Sequence, residues 1–220
     1  MEIALIVAGG SGQRMQTDIP KQFIKINGLP VLMHTISAFR NYSIPIQIIL
    51  VLPDNEIENW KALVSQFEFE DVNKIVSGGK TRFRSVQNGL KFVQENDLVA
   101  IHDGVRPMIT KNIIRDNFLT AEKYGNAVTA VSIKDSLRKI SQGISSSVDR
   151  NDFRIVQTPQ TFKGDVILKA YKQDYKSSFT DDASVVENDG VRIHLVDGDY
   201  RNIKLTTSED LESISISMRK

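Results

Sequence analysis

The chain is 220 residues long, enough for one domain of ordinary size with a substantial core. Twenty-eight basic residues face twenty-seven acidic ones, so no overall field draws the protein to nucleic acid or an anionic membrane, and any anion site must be local. The absence of cysteine excludes disulfides and thiolate metal sites and suits a reducing, cytoplasmic setting; no apolar run approaches the ~18 residues of a membrane span, and the start of the chain lacks the pattern of a signal peptide.

Residues 3–7 are apolar and β-branched and predict a buried strand, after which Ala8 to Gly12 strip the backbone of large side chains. Bare amides at a strand end can approach a polyphosphate closely, and a helix beginning just beyond would add its positive end. Arg14 and Lys21 supply cations. A dinucleotide fingerprint needs a small residue where Met15 stands, and a Walker loop ending at Gly79-Lys80-Thr81 needs a glycine where Lys74 stands, so neither reading holds. What is left is Gly-x-Gly-x-Arg-Met, residues 10–15, followed by Pro20-Lys21-Gln22-Phe23.

Further along, Val31, Leu32, Ile36 and Phe39 recur at helical spacing behind Pro30. Residues 47–52 predict a second buried strand, and Pro53-Asp54 a turn into a helix carrying Trp60, Leu63 and Val64. A short strand at 74–76 leads to Ser77-Gly78-Gly79 and a helix over 85–93. A strand at 98–101 runs out into His102-Asp103-Gly104-Val105-Arg106-Pro107. A helix over 111–124, closed by Gly125, precedes a strand at 127–131. This alternation predicts an α/β fold in three layers, a mainly parallel twisted sheet with helices on both faces, and ligands gathered at the carboxyl ends of its strands.

The rhythm changes over 132–153, where residues 136–140 and 146–150 flank Gln142-Gly143 and read as a protruding polar ribbon that needs support, a second subunit being one candidate. Residues 154–160 return to the sheet, and 166–171 are helical. Thr180-Asp181-Asp182 caps a further helix, 193–196 and 202–205 are strand-like, and Thr207-Ser208-Glu209-Asp210 starts a last helix. His34, His102 and His194 lack metal-site spacing and are expected in structural roles.

Taken together, Ala8-Gly9-Gly10-Ser11-Gly12-Gln13-Arg14-Met15, Pro20-Lys21-Gln22-Phe23, Gly78-Gly79-Lys80-Thr81-Arg82 with Ser85-Val86, Asp103-Gly104-Val105-Arg106-Pro107, Val148-Asp149-Arg150, Gln157-Thr158-Pro159-Gln160, Thr180-Asp181-Asp182-Ala183-Ser184 and Asn202-Ile203-Lys204-Leu205-Thr206 resemble, nearly end to end, the 2-C-methyl-D-erythritol 4-phosphate cytidylyltransferases of the non-mevalonate isoprenoid pathway. Two departures stand out. The first loop more often reads Ala-Ala-Gly, where this chain has Gly9, and the aspartate loop more often reads Asp-Ala-Ala-Arg-Pro, where it has Gly104-Val105. The second change is shared with ribitol 5-phosphate cytidylyltransferases, the nearest alternative; a non-catalytic nucleotide-binding subunit and a uridylyl or guanylyl transferase are the others.

The resemblance implies a Rossmann-like nucleotidyltransferase domain spanning 1–220, with an arm at about 132–153 that reaches across a homodimer. It implies transfer of CMP from CTP to the polyol phosphate, releasing pyrophosphate, with magnesium carried mainly on the CTP phosphates and Asp103 the carboxylate nearby. Arg14, Lys21, Arg150 and Lys204 are implied as catalytic. Ala8, Gly9, Gly10, Gly12, Arg14, Lys21, Gly79, Lys80, Ser85, Asp103 and Gly104 are implied around CTP, and Asp103, Arg106, Arg150, Thr158 and Lys204 around the acceptor. A phosphate monoester, with a second pKa of about 6, is already largely ionised at neutral pH and needs cations and alignment more than a general base.

Overall fold

The computed structural model describes residues 1–9, 19–43, 45–70 and 72–219. Gly10, Gly12 and Arg14, and the helix expected beyond the first loop, lie outside them. Seven strands form one sheet: β1 (Glu2–Val7), β4 (Gln47–Leu52), β5 (Lys74–Ser77), β6 (Leu98–Asp103), β7 (Asn126–Ser132), β10 (Arg154–Lys163) and β11 (Leu195–Asp197). Their spatial order is β5-β4-β1-β6-β10-β7-β11. Every neighbouring pair is parallel except those of β10, which runs antiparallel to both β6 and β7. The mainly parallel sheet expected from the alternation is therefore present, with one reversed strand inside it.

Both faces of the sheet are covered, which is why its central strands read as unbroken apolar runs. Side chains alternate across β1: Ile3, Leu5 and Val7 enter one core with Phe83, Val86 and Leu90 of α3 (Arg82–Leu90), with α5 (Gly164–Ala170) and with α6 (Asp182–Asn188). Ala4 and Ile6 enter the other, with Leu32, Ile36 and Phe39 of α1 (Val31–Tyr42), Trp60 of α2 (Ile57–Gln66), and Ile114 and Phe118 of α4 (Lys111–Tyr124). α4 starts at Thr110, whose side chain accepts from the Ile113 amide, and stops at Gly125 with φ 90°, the left-handed conformation glycine adopts without strain. α7 (Ser208–Ser217) closes a third, smaller cluster over Val31, Val105 and Leu205.

Two short strands, β2 (Lys25–Ile26) and β3 (Leu29–Pro30), pair as a small hairpin. The expected ribbon is β8 (Leu137–Ser141) antiparallel to β9 (Ile144–Val148), turned through Gln142 and Gly143, both at positive φ as a type I′ turn requires. Arg150 is not on it: the ribbon ends at Val148, and Arg150 opens a 3-10 turn, Arg150–Asp152, capped by the Asp149 side chain.

Further boundaries differ from expectation, among them the strand expected at 193–196, which is Leu195–Asp197, and the end of α3, which falls at Leu90 rather than 93. α3 begins at Arg82, not at 85, because the Thr81 hydroxyl accepts from the Arg84 amide and caps it there. β6 continues through His102 and Asp103, paired with Ile6 and Val7. Residues 202–205 are extended without joining the sheet: the Asn202 side chain donates to Thr158 O, and Leu205 N to Val105 O, so they lie across the strand ends.

Candidate active site

The strand ends are laced together by backbone hydrogen bonds. Ala8 N donates to Val51 O, Gly78 N to Leu52 O and Gly104 N to Val7 O, at 2.7–2.9 Å. These bonds bring the loops after β1, β5 and β6 around a cleft of about 220 Å³ lined by Ala8, Gly9, Lys21, Gly79, Lys80 and Ser85 and, on its other side, by Arg82, Asp103, Val105 and Lys204. A contiguous recess of about 370 Å³ shares Gly9, Gly79, Lys80 and Ser85 and extends to Pro53 and Asp54. A larger hollow of about 590 Å³ lies at the amino-terminal ends of β1 and β6, but Glu2, Glu95, Asp97, Glu122 and Asp165 make it hostile to phosphates.

Ser85 organises the loop after β5. Its hydroxyl accepts from the Gly79 amide at 3.0 Å and donates to Thr81 O at 3.0 Å, holding the Gly78–Thr81 turn against α3. Lys21 stands in a 3-10 turn, Lys21–Phe23, anchored by buried Gln22 and Phe23.

Asp103 is the electrostatic centre of the opposite wall. Its Oδ2 lies 3.1 Å from Lys204 Nζ and 3.1 Å from Arg106 Nε, and its Oδ1 lies 3.8 Å from Arg82 Nε. Burial alone would raise its pKa, but Lys204, Arg82 and Arg106 outweigh burial and hold the carboxyl far below the usual range, so it is ionised at any physiological pH. Arg106 spends its other contact on Asn202 O at 2.8 Å, which ties the 202–205 segment to the aspartate loop.

Thr158 lies beneath this wall, buried. Its hydroxyl accepts from the Asp103 amide and sits 3.0 Å from His102 Nδ1. A carbonyl oxygen only accepts, so Nε2, which faces Arg106 O at 3.3 Å, carries the ring proton and donates it there, and Nδ1 accepts from the Thr158 hydroxyl. Burial pushes the His102 pKa down to about 4, consistent with a neutral ring. The structural role expected for His102 is thus observed. Thr158 reaches this place because β10 spends Gln157, Thr158 and Pro159 where β7 spends Thr129 alone.

Of the residues singled out from sequence, Ala8, Gly9, Lys21, Gly79, Lys80, Ser85, Asp103 and Lys204 share the cleft. Arg106, Gly104 and Thr158 support it from behind. Arg150 is elsewhere within the subunit, donating to Lys134 O on the exposed arm. The signal passed over in sequence was Arg82, which carries a fully buried partner, Asp182, and reaches into the cleft. Among the described residues no three carboxylates or histidines are grouped to hold a metal, and no helix is long and apolar enough to cross a membrane.

A mostly parallel sheet covered on both faces, with a glycine-lined loop opposite a cluster of cations at the strands' carboxyl ends, defines a Rossmann-like nucleotidyltransferase. The family model described as 2-C-methyl-D-erythritol 4-phosphate cytidylyltransferase (IspD) matches residues 2–220, and the chain belongs to that family. The proteins of that name from Bacteroides thetaiotaomicron and Bacteroides fragilis are 46% identical over 208 residues and 45% identical over 212, covering 94% and 96% of this chain and 95% and 97% of their own. The crystal structure of the 4-diphosphocytidyl-2C-methyl-D-erythritol synthase from Anaerococcus prevotii superposes with a TM-score of 0.84 at 28% identity, covering 99% of this chain and 98% of that one.

Proposed function

We propose that the chain transfers CMP from CTP to 2-C-methyl-D-erythritol 4-phosphate, giving the cytidine diphosphate alcohol and pyrophosphate. The observation that carries the reading is the convergence of Lys21 and Lys204 on one cleft, the first beside the glycine loops and the second across from them on Asp103. Two anions can meet there only if each is met by positive charge.

In this reading the backbone of Ala8, Gly9, Gly79 and Lys80, with the Ser85 hydroxyl, takes the cytosine edge. Lys21, with Arg14, Gly10 and Gly12 of the first loop, takes the triphosphate. Lys204 steers the acceptor phosphate oxygen toward the α-phosphorus, in line with the departing pyrophosphate. Asp103 and Arg106 set the lysine, with Gly104 and Thr158 shaping the loop behind them. A magnesium ion neutralises phosphate charge; since both Asp103 oxygens face cations, it would be held by CTP oxygens and water rather than by a protein cage.

Arg150 enters if the arm belongs to a homodimer, each arm completing the neighbour's site in a cytoplasmic enzyme of one domain per chain. Ile140 and Ile144 at the arm's tip, with Phe153 and Ile155 beyond it, are exposed apolar side chains that a partner subunit would cover. Mixed dimers of Arg14→Ala and Arg150→Ala chains regain activity if sites are shared, and total failure to complement counts against sharing.

The direct test is pyrophosphate release with CTP and either the methylerythritol or the ribitol phosphate, run beside UTP and GTP. Turnover with the methylerythritol phosphate and CTP is expected, and preference for ribitol phosphate would overturn the acceptor. In Lys21→Ala the fold persists and turnover falls by roughly 10² or more, as for other lost transition-state donors. Near-normal activity removes Lys21 from the chemistry.

A further inference from the structure

Arg82 is the first residue of α3, one step after the turn that Ser85 fastens on the nucleotide side of the cleft. Its two terminal nitrogens donate to the two oxygens of Asp182, at 2.8 and 2.6 Å. Asp182 is fully buried, and its Oδ1 also accepts from the Tyr171 hydroxyl at 2.6 Å. The helix bearing Asp182 is itself pinned to the sheet: Gln160 of β10 donates to Asp181 at 2.8 Å and accepts from the Ala183 amide at 2.8 Å. A guanidinium gripped by both ends in this way has one position, and the edge it leaves free is Nε, which faces Asp103 Oδ1 at 3.8 Å.

The consequence lies in how the Asp103 oxygens are divided. Oδ2 takes both Lys204 and Arg106, while Oδ1 faces Arg82. A carboxylate turns easily about its last bond; Arg106 holds Oδ2 from one side by a hydrogen bond, and Arg82 is the charge that faces Oδ1 on the other, so the two together keep Oδ2 aimed at Lys204. We propose that Arg82, fixed by Asp182 and Tyr171, is a positioning residue for the transfer: it sets the rotation of the Asp103 carboxylate and thereby the placement of Lys204 on the acceptor's side of the cleft. The inference rests on the transferase reading above and adds a part to it. It also makes the nucleotide-side turn and the acceptor-side lysine mechanically continuous, through a buried ion pair that spans 100 residues of sequence.

The test is Arg82→Lys, whose single ammonium can satisfy Asp182 but cannot at once present a second edge to Asp103. The KM for the acceptor phosphate is expected to rise roughly ten-fold, the scale of one weakened charge-assisted contact, with the KM for CTP within about two-fold of wild type. Tyr171→Phe, which removes one hydrogen bond from Asp182, moves the same constant in the same direction by less. If Arg82→Lys does not fold, the paired Arg82→Met/Asp182→Leu variant removes both partly or fully buried charges together and carries the same expectation. A merely structural pair would lower the active fraction, and so kcat, leaving both KM values alone; that result, or equal shifts in the two KM values, overturns the proposal. A wild-type protein that fails to transfer CMP overturns the function itself, whereas active wild type with an unchanged Arg82→Lys overturns this inference alone.

Discussion

Replacing Asp103 by Asn removes one charge from the centre of three. At 3.1 Å and an effective dielectric near ~20, Lys204 and Arg106 are each attracted by about 5 kcal/mol before desolvation is counted. Most of that is offset by the cost of taking the charges from water, and Lys204 keeps partial solvent access. The measurable loss is therefore the penalty of stranding cations beside a neutral group, about 3 kcal/mol, the low end for breaking a buried pair. The amide cannot relieve it by rotation: its NH₂ must face either Lys204 and Arg106 or Arg82, a donor against donors. For a chain of this length about 3 kcal/mol corresponds to a fall in Tm of roughly 6–12 °C, read by calorimetry or circular dichroism at pH 7. The pH dependence is fixed by the depressed carboxyl. Its stabilisation is complete above the unfolded value of about 3.9 and is lost only as pH falls from there toward the folded one, so the gap between wild type and variant stays constant from pH 8 to 5 and closes below ~4. A Tm change under about 2 °C, or a gap that shrinks already between pH 7 and 5, would refute the three-cation arrangement.

The two departures in the loops have opposite steric outcomes. A Cβ at Gly9 would sit 3.8 Å from Ser85 Oγ, an ordinary contact, so Gly9→Ala should leave turnover intact and stability within about 0.5 kcal/mol. A Cβ at Gly104 would lie 2.8 Å from Ala8 Cβ and 3.0 Å from Leu32 Cδ1; Gly104→Ala should cost about 1–3 kcal/mol in denaturant melts, and a neutral result would show that the β1 loop can yield. Because the His102 pKa is lowered to about 4, the unfolded ring takes up a proton that the folded ring refuses, and stability should decline as pH drops from ~6.5 toward that value. Histidine ring NMR should find His102 protonated on Nε2 and not titrating above about pH 5; a midpoint near ~6.5 would contradict the Thr158 hydrogen bond.

The layers of the fold were legible because both faces of β1 and β4 are buried, which leaves an apolar run that no amphipathic helix would show. Gly125 and the Asp181 cap announced their helix ends through local chemistry, and the structure has both. The reversal of β10 was not legible: whether a strand pairs parallel or antiparallel depends on neighbours well back along the chain, Ile101 for Gln160 and Ser132 for Arg154, and nothing local encodes it. Residues 202–205 misled for a related reason. Ile203 and Leu205 alternate with polar residues as in a half-buried strand, but Asn202 supplies side-chain bonds that fasten the segment across the strand ends. Lys21 and Lys204 were marked by the blocks around them, whereas Arg82 stood within such a block and drew no role, since its partner Asp182 lies 100 positions away.

The reversed strand also governs how the molecule can be assembled. Strands β6 and β7 are successive in the parallel part of the chain, separated only by α4, yet they do not touch; the slot between them belongs to residues 154–163. Until that segment arrives, the growing protein carries open rows of amides and carbonyls on one edge of β6 and on both edges of β7, whose other neighbour, β11, is made later still. Such edges recruit strands from other molecules. The hazard of aggregation during synthesis is therefore concentrated in the interval between completing β7 and inserting β10, and the hairpin arm lies in that interval, a polar spacer between a waiting gap and the strand that fills it.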